Sequence, residues 1–179
     1  MLMQSDHVKF RPLEPDDAAV FLRWSEDRQV TQYSLSQYVW PQALSDIRSW
    51  LASIHQGTTS FTVGVCCHKT GKLIGYAGIS RMNQINRSGE FFILIGEPHY
   101  WGRGIGTDVT QVISDYGFTS LNLHRIELTA YVTNLAAIRA YEKAGYHHEG
   151  ILRDAGFRNG QYLDKVVMAV LATDWQGIR

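Results

Sequence analysis

The 179-residue sequence is short of several things at once. It has no excess of charge, since 17 basic residues balance 17 acidic ones for a formal net charge of +0. Nucleic-acid binding draws most of its affinity from neutralising phosphates with surplus lysine and arginine, and that surplus is missing. Cysteine is scarce: Cys66 and Cys67 are the only two, and they are adjacent. Neighbours along a strand point to opposite faces, so no disulfide is expected between them, and a reducing compartment fits. No run approaches the roughly 18 apolar residues that a membrane-spanning helix needs. The opening MLMQSDHVKFRP has no basic region followed by an apolar stretch, so no secretory signal is visible and a soluble, cytoplasmic protein is the expectation. Internal repeats, low-complexity tracts and Pro/Gly-rich linkers are also missing, which suits one domain over residues 1–179. What is present is an ordinary globular balance of 45% hydrophobic and 19% charged residues, which excludes wholesale disorder.

Hydrophobic periodicity divides the chain into short elements. His7 to Arg11 alternates as a strand. Pro15 opens a helix, with Asp16 and Asp17 in its first turn and Ala18, Phe21, Leu22 and Trp24 at rough helical spacing. A second helix is predicted from Pro41 to His55, with Leu44, Ile47, Leu51 and Ile54 on one face and Gly57 as its stop. Ser60 to His68 and Lys72 to Arg81 read as two strands joined by a tight glycine-bearing hairpin. Glu90 to Gly96 is apolar on both faces, as a central strand should be. Arg103 to Ser120 has helical spacing, His124 to Tyr131 alternates, and Asn134 to Ala144 is a short helix stopped by Gly145. Tyr146 to Arg153 and Gln161 to Leu171 form a last pair of strands, with the strong hairpin signal Asn159-Gly160 between them. The expected fold is α+β: a mixed, mostly antiparallel sheet of about seven strands flanked by about four helices.

Two segments carry chemistry. Tyr100-Trp-Gly-Arg-Gly-Ile-Gly-Thr107 lies between the apolar strand and an amphipathic helix. Glycines let the backbone bend and approach a ligand, and a helix start offers unpaired N–H groups and a positive dipole end. Together they suit a pyrophosphate, with Arg103 able to add charge at the mouth. A Walker loop would need Gly-Lys-Ser/Thr, which does not occur, and a Rossmann fingerprint would need glycine where Thr107 stands. The second segment runs from Asn134 to Tyr146. Asn134 and Tyr141 are seven residues apart and so share a helix face. A phenol, with a reference pKa of about 10, is a workable proton donor to a departing thiolate of about 8.5. Taken alone, Asn134 is equally an ordinary helix cap and Tyr141 an ordinary half-buried residue.

With both segments in place, the chain resembles the GNAT superfamily of N-acetyltransferases, and most of all the branch of the ribosomal-protein alanine (RimI/RimJ/RimL type) and spermidine N-acetyltransferases. The resemblance extends from Val8-Lys-Phe-Arg-Pro-Leu to the final hairpin. Its parts come in family order: Leu73-Ile-Gly-Tyr-Ala-Gly-Ile79, Glu90-Phe-Phe-Ile-Leu-Ile-Gly96, the glycine loop, then Asn134 to Gly145. It implies a V-shaped splay between the Glu90–Gly96 and His124–Tyr131 strands that holds acetyl-CoA as co-substrate. The pantetheine amides would pair with backbone groups of Ile93, Leu94 and Ile95, as an added strand would. The pyrophosphate would lie on the N–H groups of Trp101, Gly102, Arg103, Gly104, Ile105, Gly106 and Thr107. Trp101 stands where the family often has Gln or Arg. Asn134 and the helix after it, with Ala137 and Tyr141, would border the pantetheine and adenosine end, and Arg139 or Lys143 would meet the 3′-phosphate.

The reaction so implied is direct attack of a neutral amine on the thioester in a ternary complex, with Tyr141 as general acid. An alkylamine is mostly protonated at pH 7, so a proton acceptor is required, and Glu90 is the best candidate, acting through water or instead contacting the substrate. A backbone N–H of Ile93 or Leu94 could meet the oxyanion. No serine–histidine–acid or cysteine nucleophile arrangement is evident, and His147-His148 has no partner cluster for a metal. The acceptor wall is expected in Ser25–Trp40, where Glu26, Asp27, Tyr33, Tyr38 and Trp40 could meet a cationic amine, an aminosugar or a peptide N-terminus. The expected acceptor is a protein N-terminus or a small amine, with polyamines or aminoglycosides as the alternative. A homodimer or higher homo-oligomer is possible. A non-catalytic acyl-CoA-binding module on the same fold and a dinucleotide-binding oxidoreductase are the competing classes.

Overall fold

The computed structural model describes residues 5–34 and 40–177. The order of elements is β1 (Val8–Arg11), a 3-10 turn (Pro15–Asp17), α1 (Ala18–Glu26), α2 (Arg28–Thr31), α3 (Leu44–Ser53), β2 (Phe61–Cys67), β3 (Leu73–Asn83), β4 (Ser88–Ile95), a second 3-10 turn (Pro98–Tyr100), α4 (Ile105–Thr119), β5 (Arg125–Tyr131), α5 (Leu135–Lys143), β6 (His147–Arg158) and β7 (Gln161–Leu171). The predicted elements are all found, with boundaries shifted by a few residues. Pro15 and the two aspartates make a 3-10 turn before the helix rather than its first α turn. One element was not foreseen: α2, a single turn capped by Asp27, whose carboxylate accepts from the Gln29 N–H at 2.8 Å.

The seven strands form one sheet in the order β1-β2-β3-β4-β5-β7-β6. Every neighbouring pair is antiparallel except β4 and β5, which run parallel. The β6–β7 turn needs both central residues at positive φ, and Asn159 (51°) and Gly160 (80°) supply them. β6 runs farther than predicted because register shifts at His148/Gly150 and Leu152/Gly156 carry the pairing on to Arg158.

The sheet separates two apolar clusters. On one face Val65, Ile74, Ile79, Phe91, Ile126, Leu128 and Met168 pack with Ile105, Val109, Val112 and Ile113 of α4. On the other, Leu13, Phe21, Trp24, Ile47 and Leu51 pack with Leu73 and Tyr76. Cys66 belongs to the second cluster and Cys67 to the first, so the two free thiols are divided by the sheet.

The feature that matters most is where pairing stops. β4 and β5 are in register only at Ser88↔Arg125, Gly89↔Ile126 and Glu90↔Glu127. Beyond Glu90, residues 91–95 of β4 and 128–131 of β5 have no ladder between them. Three aromatic rings gather at the point of divergence on the α4 side. Phe91 is 6.1 Å from Tyr141 and 6.3 Å from Tyr146, and the two tyrosines are 6.3 Å apart, centroid to centroid.

Candidate active site in the split sheet

Strand alternation decides which backbone groups face the gap. The Gly96 N–H donates to the Ile74 carbonyl at 2.9 Å, and the Leu94 carbonyl lies against Gly75. The peptide groups of Gly96 and Leu94 therefore turn toward β3, and those of Phe91, Ile93 and Ile95 turn toward the gap. The Trp101 indole N–H, which donates to the Ile95 carbonyl at 2.9 Å, meets that carbonyl on the gap side. Leu94, which the sequence grouped with its two neighbours, spends its peptide groups on β3, and its side chain packs on the Trp24 cluster. Ile93 and Ile95 pack on the α4 side.

The glycine loop closes the wide end of the gap. Gly102 (φ 71°) and Gly104 (φ 81°) both adopt left-handed backbone, and Gly104 is the N-cap of α4. An ideal Cβ at either position would meet nothing within 4 Å, so backbone conformation, and not crowding, requires glycine there. The Asp108 N–H is the first to find an intrahelical carbonyl, that of Gly104 at 3.1 Å, which leaves the N–H groups of Ile105, Gly106 and Thr107 at an open helix start. A carboxylate in this first turn would repel an anion, but Asp108 is taken up by His7 (2.6 Å) and Ser5 (3.2 Å) of the N-terminal segment. Arg103 lies over the Tyr100 ring at 5.8 Å. The Thr107 hydroxyl donates to the Ala140 carbonyl at 3.4 Å and so ties α4 to α5.

Helix α5 borders the gap from β5. Asn134 is its N-cap, its side-chain oxygen accepting from the Ala137 N–H at 3.3 Å, so the capping role is realised. Arg139 and Lys143 are exposed one turn apart. Tyr141 points its ring into the aromatic trio, and burial pushes its hydroxyl up to about 12. Burial raises Tyr146 too, although its hydrogen bond to Ser114 at 2.8 Å pulls the other way.

The opposite face of the split is charged. Glu90 and Glu127 are direct cross-strand partners at the apex, and both side chains project away from the α4 side. Arg81 pairs with Glu90 at 3.1 Å, while Arg125 joins Glu127 (2.9 Å) and Glu149 (2.5 Å). Tyr33, predicted for the acceptor wall, donates to the Thr133 carbonyl at 3.4 Å, and its ring is 6.3 Å from Tyr131. Glu26 is exposed at the end of α1, away from any such contact among the described residues. Tyr38 lies outside the described residues.

Sequence reasoning missed the clasp that fixes the end of β4. The Glu97 carboxylate is 7% exposed and accepts from the Trp24 indole (3.0 Å), Lys72 (2.6 Å) and Arg23. Desolvation pushes its pKa up, but the Lys72 and Trp24 hydrogen bonds and the Arg23 charge outweigh it and hold Glu97 below the ordinary carboxylate range. Its one signal in the sequence was an acid directly after a strand apolar on both faces. Among the described residues no group of three His, Cys, Asp or Glu side chains is placed to hold a metal ion, and no helix is long and apolar enough to cross a membrane.

Comparison with known proteins meets this geometry. The acetyltransferase (GNAT) domain model matches residues 7–147. Spermidine N(1)-acetyltransferase of Escherichia coli (strain K12) is 34% identical over 170 residues, 94% of this chain and 88% of its own. YdaF of Bacillus subtilis (strain 168), a candidate ribosomal N-acetyltransferase, is 31% identical over 107 residues, 60% of this chain and 58% of its own. A crystal structure of spermidine N-acetyltransferase from Vibrio cholerae, in complex with CoA and spermine, superposes with a TM-score of 0.83 at 29% identity, covering 95% of this chain and 98% of that one. A sheet opened between two parallel strands, a loop of bare amides at its wide end and these relatives lead to one conclusion: the chain belongs to the GNAT family and is an acetyl-CoA-dependent N-acetyltransferase that acts on an amine.

Proposed function

We propose that the gap between β4 and β5 holds the pantetheine arm of acetyl-CoA as a surrogate strand, and that acetyl passes directly to a primary amine in a ternary complex. The observation that carries this is the loss of pairing after Glu90↔Glu127, with the peptide groups of Phe91, Ile93 and Ile95 turned into the opening. The pyrophosphate rests on the amides from Gly102 to Thr107 at the start of α4, because the Trp101 N–H, which the sequence grouped with them, already donates to the Pro98 carbonyl at 2.9 Å. Asn134, Ala137 and Tyr141 line the arm, and the exposed Arg139 and Lys143 lie within reach of the 3′-phosphate. Leu94 contributes packing alone.

The amine enters on the Glu90 face and the sulfur leaves toward Tyr141, on opposite sides of the sheet. The nitrogen lone pair forms the new C–N bond as the C–S bond breaks. The ammonium proton passes to Glu90, directly or through water, and the electron pair goes to sulfur. The gap-facing N–H of Ile93 receives the carbonyl oxygen. A phenol pushed up to about 12 keeps its proton at neutral pH, so Tyr141 steadies the departing thiolate chiefly by donating a hydrogen bond.

The acceptor is a peptide N-terminus or a small amine, as in the RimJ/RimL-like branch. Polyamines are the second reading, favoured by the spermidine acetyltransferases among the relatives. Residues 1–179 act as one domain. The buried, unpaired Cys66 and Cys67 support a cytoplasmic setting. Exposed Ile151, Leu152 and Phe157 on the edge strand β6 support assembly into a homodimer or larger homo-oligomer.

The test is thiol release from acetyl-CoA with polyamines, aminoglycosides, aminosugars and Ala- or Ser-starting peptides, in the native chain and in Glu90→Gln. Turnover of one amine class with a large loss in the variant is expected. Full activity in Glu90→Gln removes Glu90 from both roles.

A further inference from the structure

The face on which the amine is placed is polarised along its length. At the apex stand Glu90 and Glu127. At the far end of β5, Tyr131 is 4% exposed, and its hydroxyl has no hydrogen-bond partner among the described residues. Two cations lie against its ring: the Lys165 ammonium at 5.0 Å and the Arg158 guanidinium at 5.4 Å. Lys165 is the cross-strand partner of Tyr131 on β7, and Gly156 of β6 makes room for the ring, since a Cβ there would lie 2.3 Å from it.

These cations differ from those that anchor the rest of the sheet. Arg11, Arg23, Lys72, Arg81 and Arg125 each hold a carboxylate within 3.1 Å or less. Arg158 and Lys165 hold none among the described residues. Arg158 donates only to the carbonyls of Phe157 (2.8 Å) and Ser34 (2.5 Å). A polar hydroxyl shut from water without a partner, beside two positive charges without a counter-charge, describes an anion subsite.

We propose that the amine acceptor carries an anionic group, a carboxylate or a phosphate, which Lys165 and Arg158 receive above the buried Tyr131 while the amine lies at Glu90. This rests on the reading that the acceptor enters on the Glu90 face. Three strand steps of about 3.3 Å lead from Leu128, the first residue beyond the apex, to Tyr131, so an amine just past the apex and the anion stand about 10 Å apart. A second ammonium at this place would meet two positive charges, which sets this acceptor class apart from the polyamines.

The experiment uses the full chain, acetyl-CoA and four amines on one eight-carbon chain, whose ends lie about 10 Å apart when extended. They are 8-aminooctanoate, 8-aminooctyl phosphate, 8-aminooctanamide and 1,8-diaminooctane. An anionic end should raise kcat/KM over the amide by about 10-fold or more, the worth of one charge-assisted hydrogen bond. The better of carboxylate and phosphate identifies the natural source. Lys165→Gln, and independently Arg158→Gln, should bring that ratio toward one, with folding checked by thermal melting and either variant sufficient. The inference is overturned, with acetyl transfer left standing, if amide or diamine is served as well as the anionic ends or if the ratio survives both substitutions. If none of the four is acetylated while peptides are, this span and charge are refuted. If no amine of any class is acetylated although CoA binds, the entry face itself falls.

Discussion

Replacing Tyr141 by phenylalanine isolates one oxygen atom. The ring packs edge-on to Phe91 at 6.1 Å and against Tyr146 at 6.3 Å, and phenylalanine keeps both contacts. The hydroxyl makes no hydrogen bond among the described residues, and burial alone accounts for its rise to about 12. Folding should therefore change by no more than about 0.5 kcal/mol, or roughly 2 °C in Tm for a chain of this length. Catalysis should change far more. A hydrogen bond to a charged sulfur contributes about 1.5–3 kcal/mol, a loss of roughly 10- to 150-fold in the chemical step. Because the phenol stays protonated far above neutrality, that penalty should be constant from about pH 7 to 9.5. Single-turnover thiol release at saturating amine reads the step, and calorimetric titration with CoA reads affinity, which should move less than about three-fold. A single-turnover rate within two-fold of native would remove Tyr141 from the departure of sulfur. A rate loss matched by an equal loss of CoA affinity would make the residue a wall of the cleft.

Other expectations follow from the same geometry. Gly104→Ala places a Cβ on left-handed backbone at φ 81°, costing about 1–2 kcal/mol; the melting temperature and CoA affinity should both fall, and an unmoved affinity would shift the phosphates elsewhere. Tyr146→Phe strands the fully buried Ser114 hydroxyl and should cost about 1–3 kcal/mol in urea unfolding. Adding Ser114→Ala should recover part of it, and strict additivity would show that the 2.8 Å bond contributes nothing. Glu97 is held below the ordinary carboxylate range, so its stabilisation is complete above the unfolded value near 4.5 and is lost as pH falls through the lower, folded one. Glu97→Gln should melt lower at pH 7 and lose less than the native chain on acidification; parallel acid profiles would exclude Glu97 as a source of acid sensitivity.

The strands and helices were legible because their patterns are local. Val109, Val112 and Ile113 announce one helix face whatever lies beneath it. The one-turn α2 escaped because four residues hold no period. The split was legible only through family order, since residues 91–95 look equally apolar whether or not a neighbour pairs with them. Grouping Leu94 with Ile93 and Ile95 overlooked the two-residue alternation, which was available in the sequence. The Glu97 clasp joins residues 23, 24, 72 and 97, and the Tyr131 cluster joins 33, 131, 158 and 165. No spacing rule connects positions so far apart, because tertiary packing alone brings them together.

A sheet that stops pairing halfway along two central strands has, in its interior, an edge that most proteins keep at the margin. The co-substrate then serves as the missing rung as well as the reagent. Amides of Ile93 and Ile95 should exchange with deuterated solvent quickly in the free chain and slowly once the cleft is filled. A hundred-fold excess of acetyl-CoA over its dissociation constant would add about 2.7 kcal/mol to the folded state. How firmly the two halves hold together is thus set by the supply of the molecule the enzyme consumes.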